Sequence, residues 1–195
     1  AVAFGGVLVL ESWLPESIPL IIIAVLIFWW WKRPLILNQN ILMIFGLAGA
    51  GSALGLAFQP LMVVGLLIIF SIYDYIAVYK TKHMIEMAKE MIEQKAILAL
   101  VIPPNLSAFL ASLNEIKPGG KFLILGGGDI VFPLLFSASL IPTGISNSII
   151  VAIFSIIGLF ASFCIFTKQK IRSPIPALPP IALFSIIGYL ITKII

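Results

Sequence analysis

Two acidic residues in apolar surroundings are the residues of this chain best suited to chemistry. Asp129 follows three glycines (126–128) inside an apolar run that extends over 122–141. A charged side chain near the centre of a bilayer is penalised by about 2.5–3.5 kcal/mol on insertion scales. Asp74 lies in another apolar run and carries the same penalty. Acids kept in such surroundings are candidates for function, and we interpret these two as a pair.

Two carboxylates close together in a medium of low dielectric do not both ionise readily, so the pair holds one proton between them. One carboxylate can then activate a water molecule, while its protonated partner polarises a peptide carbonyl, as in aspartic proteases. Glycines without side chains would let a second backbone approach Asp129. The pattern favours peptide hydrolysis. Intramembrane acids also serve proton-coupled transporters and cation leak pathways, and this alternative stays open, as does a non-catalytic scaffold that binds membrane helices.

The composition places these acids in a membrane protein. The chain is 61% hydrophobic and 10% charged, with a mean hydropathy of +1.18, whereas soluble domains carry about 25% charged residues. We predict an all-α, polytopic transmembrane helical bundle that forms a single membrane domain over 1–195. The net charge of +4 resides in short loops between apolar runs, which indicates membrane topology and not nucleic-acid binding. The single cysteine, Cys164, excludes an internal disulfide, and we expect neither a metal nor a cofactor.

The apolar runs predict about six full spans and one partial span, because a helical crossing needs about 20 apolar residues. The partial span covers 1–10 and reads as the end of an earlier span, and the full spans cover about 18–31, 41–58, 61–79, 122–141, 145–166 and 176–195.

The intervening segment 80–121 is predicted to stay at the cytoplasmic surface. Residues 80–95 alternate charged and apolar side chains at helical spacing, which predicts an amphipathic surface helix. The adjacent prolines 103 and 104 break any helix over 96–113, so we expect a re-entrant or interfacial segment that does not cross.

The positive charges predict the orientation. With these spans, eleven of the twelve Lys and Arg residues fall on one side of the membrane, and Lys193 alone falls on the other. The side rich in Lys and Arg is normally cytoplasmic. We therefore predict that the loops after residues 31, 79 and 166 are cytoplasmic, that the C-terminus is outside, and that the chain resides in the cell membrane.

The same topology brings the two acids to one depth. Asp74 lies six residues before Lys80, about 9 Å along a helix, and Asp129 lies eight residues after Lys121, about 12 Å. The prolines of 175–180 open the last span near the same side. Irregular backbone at this depth is tolerated only where protein buries it or where it lines water. We expect a hydrated cavity that opens to the cytoplasm.

Three short motifs stand in this order on apolar segments: Tyr73-Asp74, Gly126-Gly127-Gly128-Asp129 and Pro176-Ala177-Leu178. Together they resemble the YD, GxGD and PAL signatures of the presenilin and signal peptide peptidase family of intramembrane aspartyl proteases. The resemblance covers about 18–195 and implies the presenilin fold, which has nine spans.

The resemblance also implies roles for these residues. Asp74 and Asp129 would be the catalytic pair, and the remaining residues of the three motifs would shape the site and hold substrate. The expected substrates are transmembrane-helix proteins in the lipid bilayer. The predicted orientation is similar to that of presenilin, and the short loops favour a microbial, archaeal-type presenilin homologue. Such a single chain is expected to need no obligatory subunits, and homo-oligomerisation stays open.

Overall fold

The computed structural model describes residues 2–12, 14–15, 17–81, 86, 90–91, 98–116, 122–169 and 175–194. Within this part of the chain the structure is mainly helical, with one pair of short strands. Seven α-helices are described: α1 Val2–Glu11, α2 Ser17–Lys32, α3 Ile36–Ala57, α4 Pro60–Tyr79, α5 Gly127–Ser139, α6 Ile145–Thr167 and α7 Leu178–Ile191. The strands, β1 Ala99–Ile102 and β2 Leu123–Gly126, come between α4 and α5 in the chain.

Three of the described helices, α3, α4 and α6, are long and apolar enough to cross a membrane. Their 22, 20 and 23 residues correspond to about 30–35 Å of helix, against a hydrocarbon core of about 30 Å. Helices α2 and α7 are apolar but shorter, as is the segment Gly127–Thr143. The predicted class, a helical polytopic membrane protein, is confirmed, while three of the six predicted full spans form shorter helices.

The chain divides into two compact units. Unit 1 comprises Ala1–Ala50 and Ala88–Gly127, and unit 2 comprises Gly51–Met87 and Gly128–Ile195. Both acids of the predicted pair belong to unit 2.

Unit 1 contains an antiparallel strand pair over a small apolar cluster. In its register Ala99 lies opposite Gly126, and Ile102 lies opposite Leu123. The buried side chains of this cluster come from the start of α3, from β1 and from the segment after it: Ile36, Ala99, Val101, Leu113 and Ile116.

The side-chain amide of Asn40, in α3, holds the outer edge of β1. Its Nδ2 donates to the carbonyl of Val101 at 2.8 Å, and its Oδ1 accepts from the N–H of Val101 at 2.9 Å. In an antiparallel pair both backbone groups of one residue point to the same side of the strand. Those of Val101 therefore point away from β2, and the buried amide of Asn40 satisfies them in place of a third strand.

The apolar run 122–141, predicted as one spanning helix, is divided in the structure. Leu123–Gly126 form β2, and α5 begins only at Gly127. A strand rises about 3.3 Å per residue and a helix 1.5 Å, so the depth of about 12 Å estimated for Asp129 does not hold. The sequence does not reveal the break, because a short apolar run fits a buried strand as well as a helix.

The described residues 98–116 contain β1 and two 3-10 helices, Leu106–Leu110 and Leu113–Glu115, and no α-helix. They therefore supply no spanning helix. The amphipathic helix predicted over 80–95 falls mostly outside the described residues.

Unit 2 packs α4, α5, α6 and α7 around one core. Helices α6 and α7 approach closely because a small residue lies between them: a Cβ on Gly158 would lie 2.7 Å from the Cα of Ile181. The hydroxyls of Ser155 and Ser185 are 2.7 Å apart across the same contact. Small residues and buried hydroxyls are typical of helix contacts in membranes. The buried core residues are Val63, Leu67, Leu135, Phe136, Leu140, Val151, Leu178 and Ala182.

Candidate active site

Both aspartates line one cleft in unit 2. The cleft has a volume of about 160 Å³, several times the roughly 30 Å³ that a water molecule occupies in the liquid. Its walls come from three helices, and the lining residues are Phe70, Tyr73, Asp74, Gly128, Asp129, Phe132 and Leu178.

Asp74 reaches the cleft from α4, five residues before that helix ends at Tyr79. Its side chain is half-buried. Its Oδ2 accepts a hydrogen bond of 3.1 Å from the backbone N–H of Leu178, and the backbone N–H of Ala177 also interacts with this carboxylate. The start of α7 therefore holds Asp74 through its backbone.

The prolines explain why this contact falls on Leu178. The first N–H groups of a helix have no partner within the helix. Pro179 and Pro180 have no N–H, so two of the unpaired donors are absent from the first turn of α7. The N–H groups of Leu178 and Ala177 remain, and both interact with the carboxylate of Asp74. A negative charge at this end of a helix is also stabilised by the helix dipole.

Asp129 is the third residue of α5 and lies in its first turn. It is half-buried, and its place near a helix N-terminus likewise favours negative charge. The glycines before it differ in their surroundings. A Cβ on Gly127 would lie 3.2 Å from the carbonyl oxygen of Leu98, whereas a Cβ on Gly128 would make only ordinary contact, 3.5 Å, with the ring of Phe132. Packing explains the glycine at 127, and the cleft lies open at 128.

An aromatic pair joins the helices that carry the acids. The rings of Phe70 and Phe132 have centroids 4.5 Å apart and planes inclined by 31°. Phe70 precedes Asp74 by four residues and Phe132 follows Asp129 by three, so each ring lies one turn from an acid on the same face. Phe132 also packs against the core of unit 2. This aromatic pair therefore anchors the two helices that form the cleft walls to the core of unit 2.

The structure brings five of the predicted site residues to this cleft: Tyr73, Asp74, Gly128, Asp129 and Leu178. Gly126 and Gly127 end β2 and begin α5, Pro176 and Ala177 precede α7, and none of these four lines the cleft. Sequence reasoning missed Phe70 and Phe132. Their spacing of one helical turn from each acid is the signal that could have identified them.

A separate cleft of about 190 Å³ lies in unit 1, and no ionisable side chain lines it. Among the described residues, no three His, Cys, Asp or Glu side chains are grouped so that they could hold a metal ion. The expectation of a site without metal or cofactor stays a prediction.

The fold is similar to that of a solved protein. A structure of a presenilin family intramembrane aspartate protease, determined in space group C222, aligns with a TM-score of 0.62 and 23% sequence identity. The alignment covers 98% of this chain and 69% of that chain. A comparison with curated proteins finds no match.

The apolar helices and the cleft with two carboxylates indicate the class of protein, which is an integral membrane protein with an acidic site. The sequence model of the family described as signal-peptide peptidase, presenilin aspartyl protease matches residues 3–195. The chain belongs to this family and is an intramembrane aspartic protease. It is an integral membrane protein and acts on transmembrane substrates within the membrane.

Proposed function

We propose that Asp74 and Asp129 are the catalytic dyad with which this protease hydrolyses peptide bonds inside transmembrane helices. The observation that carries the proposal is that both carboxylates, 55 positions apart in the sequence, line the same cleft of about 160 Å³. The cleft has room for a water molecule and for part of a peptide backbone.

The dyad begins each cycle with one proton. The ionised carboxylate takes a proton from water while the water oxygen adds to the peptide carbonyl carbon, and the protonated carboxyl gives its proton to the carbonyl oxygen. The resulting gem-diol collapses as the amide nitrogen is protonated and the C–N bond breaks. The products are a carboxylic acid and an amine, and the dyad again holds one proton.

The contact with α7 limits how Asp74 takes part. Its Oδ2 accepts the N–H of Leu178, which holds the carboxylate in place, and the acceptor positions that remain can bind water or share the proton with Asp129. The glycine at 128 leaves space beside Asp129, which suits an extended substrate backbone. A helical substrate must unwind first, since its carbonyls are otherwise engaged in helix hydrogen bonds.

Other parts of the proposal concern the setting of the reaction. The distribution of Lys and Arg supports loops after residues 31, 79 and 166 in the cytoplasm, a C-terminus outside, and water entry from the cytoplasmic side. We expect the chain to act without obligatory partner subunits. The mass of the active species in detergent would give its oligomeric state.

The test is cleavage of a single-span helical peptide in detergent, followed by mass spectrometry of the products. Asp74→Asn and Asp129→Asn keep the shape of each side chain and remove its acid function, so each should abolish cleavage. Glu11→Gln, at the exposed end of α1, is the matched control and should leave cleavage unchanged. Equal thermal unfolding of all variants excludes loss of the fold.

Persistent cleavage in either Asp variant would refute the dyad. Flux of protons or cations in liposomes that disappears with Asp74→Asn, without any peptide product, would instead support a transporter. A scaffold would retain helix binding after loss of both acids and would release no product.

A further inference from the structure

A buried hydroxyl in α6 contacts the turn that begins α7. Ser162 is 4% exposed, and its Oγ lies 3.1 Å from the carbonyl oxygen of Gly158 and 3.1 Å from that of Ala177. A hydroxyl has one proton to donate, so the two carbonyls share it. The bond to Gly158 is the usual contact of a helical serine with the residue four positions earlier. The bond to Ala177 reaches another element, and it is the one that bears on the site.

The carbonyl of Ala177 and the N–H of Leu178 belong to one peptide group. Its carbonyl end accepts the hydroxyl of Ser162, and its N–H end donates to Oδ2 of Asp74 at 3.1 Å. A peptide group is planar, so partners at both ends fix its orientation. Hydrogen bonds in such a chain also polarise one another. A carbonyl that accepts the serine proton therefore makes the N–H of the same group a stronger donor to the carboxylate.

The start of α7 is held by neighbouring helices and not by a side chain of its own. Ala177 is the N-cap residue of α7, and its side chain makes no capping hydrogen bond, because a methyl group has no acceptor atom. Pro179 and Pro180 have no backbone N–H to donate. Asp74 from α4 and Ser162 from α6 supply polar contacts at this turn.

Close packing of α6 on α7 explains why Ser162 reaches this turn. A Cβ on Gly158 would lie 2.9 Å from the carbonyl oxygen of Pro180 and 2.7 Å from the Cα of Ile181, so α6 passes directly against the first turn of α7. Ser162 follows Gly158 by four residues and therefore lies on the same face of α6. The small residue at 158 thus brings the hydroxyl at 162 within hydrogen-bond distance of Ala177.

We infer that Ser162 is a positioning residue for Asp74, and that it acts by holding the peptide group that binds this carboxylate. The inference rests on the proposed function, in which Asp74 belongs to the dyad. Ser162 is buried and is not among the residues that line the cleft, so it does not meet the substrate. Its effect falls on the chemical step, which depends on the placement of the carboxylate, and not on substrate binding.

The test measures kcat and KM for cleavage of a single-span peptide by the full chain in detergent. Ser162→Ala removes the hydroxyl and should lower kcat about fivefold, in line with the net contribution of one hydrogen bond, with KM unchanged. Ser162→Thr keeps a hydroxyl that can bond a carbonyl, whereas Ser162→Val has nearly the same shape without it. The Thr variant should be about fivefold faster than the Val variant, whatever the added bulk does to both.

Ser155→Ala is the matched control variant. Ser155 lies seven residues before Ser162, about two turns along the same helix, and it is also buried. Its hydroxyl meets that of Ser185 at 2.7 Å across the same pair of helices. The control loses a comparable contact between α6 and α7, so it should lower the unfolding temperature as much as Ser162→Ala does and keep the kcat of the unaltered chain.

Three results would overturn the inference: an unchanged kcat in Ser162→Ala, an equal loss of kcat in Ser155→Ala, or the same kcat in the Thr and Val variants. Asp74→Asn and Asp129→Asn, measured beside them, separate this failure from a failure of the dyad. Full activity of Ser162→Ala with both Asp variants inactive would remove only the role of Ser162. Cleavage by either Asp variant would remove the dyad on which that role rests.

Discussion

The aromatic pair between α4 and α5 should position the two acids, and this can be tested without touching either carboxylate. Phe70 and Phe132 stack at 4.5 Å and each lies one turn from an acid. Replacing either ring with leucine keeps an apolar side chain of similar size but removes the stacking contact. Without this contact the distance between the two carboxylates is held less firmly, so the rate of the chemical step should fall.

The size of the effect follows from the geometry. A tilted aromatic pair at this distance contributes about 0.5–1.5 kcal/mol beyond the area that it buries. If the contact serves to position the dyad, losing it lowers kcat about two- to tenfold, since 1.36 kcal/mol corresponds to a factor of ten. Because Phe70 is 37% exposed and leucine retains most of the apolar contact, loss of folding should be the smaller effect.

The assay is a double-mutant cycle on cleavage of a single-span peptide, with kcat and KM measured for Phe70→Leu, Phe132→Leu and the double variant. The losses should appear in kcat, and the double variant should be no slower than the slower single variant, because both changes remove one contact. Strictly additive losses, or losses confined to KM, would show that the rings act separately or only bind substrate.

Two further predictions concern the proton of the dyad and the strand pair. The rate of cleavage should depend on pH as a bell-shaped curve, because the mechanism needs one ionised and one protonated carboxyl; a rate that rises steadily to high pH would contradict a shared proton. Asn40→Ala should lower the stability of the chain by about 2–6 kcal/mol, because both backbone groups of Val101 become unpaired at about 1–3 kcal/mol each. Thermal unfolding in detergent measures this loss.

Several features of the site could be predicted from the sequence because they depend on composition and chain direction. The cost of charge in lipid identified Asp74 and Asp129 as candidates for function, and the antiparallel order of their spans predicted that the two acids meet. The structure places both acids in one cleft together with Leu178. Asp74 lies in a continuous helix, as the depth argument assumed, and its depth in the membrane stays a prediction.

Other features could not be predicted because they depend on packing. The estimated depth of Asp129 assumed a helix where β2 forms. A short apolar run has no alternation of polar and apolar residues that could distinguish a strand from a helix. Phe70 and Phe132 were missed because aromatic residues on a membrane helix equally fit a lipid-facing surface. The hydrogen bond from Leu178 to Asp74 depends on the geometry of the first turn of α7, which the motif alone does not specify.

The amide of Asn40 has a consequence for how copies of this chain behave toward one another. A strand with unpaired backbone groups can recruit a strand from another molecule and start edge-to-edge aggregation. At Val101 the two groups that would receive such a strand are already occupied by Asn40. The side chain therefore protects the outer edge of β1 against intermolecular pairing, so loss of Asn40 should favour β-rich aggregates as well as lower stability.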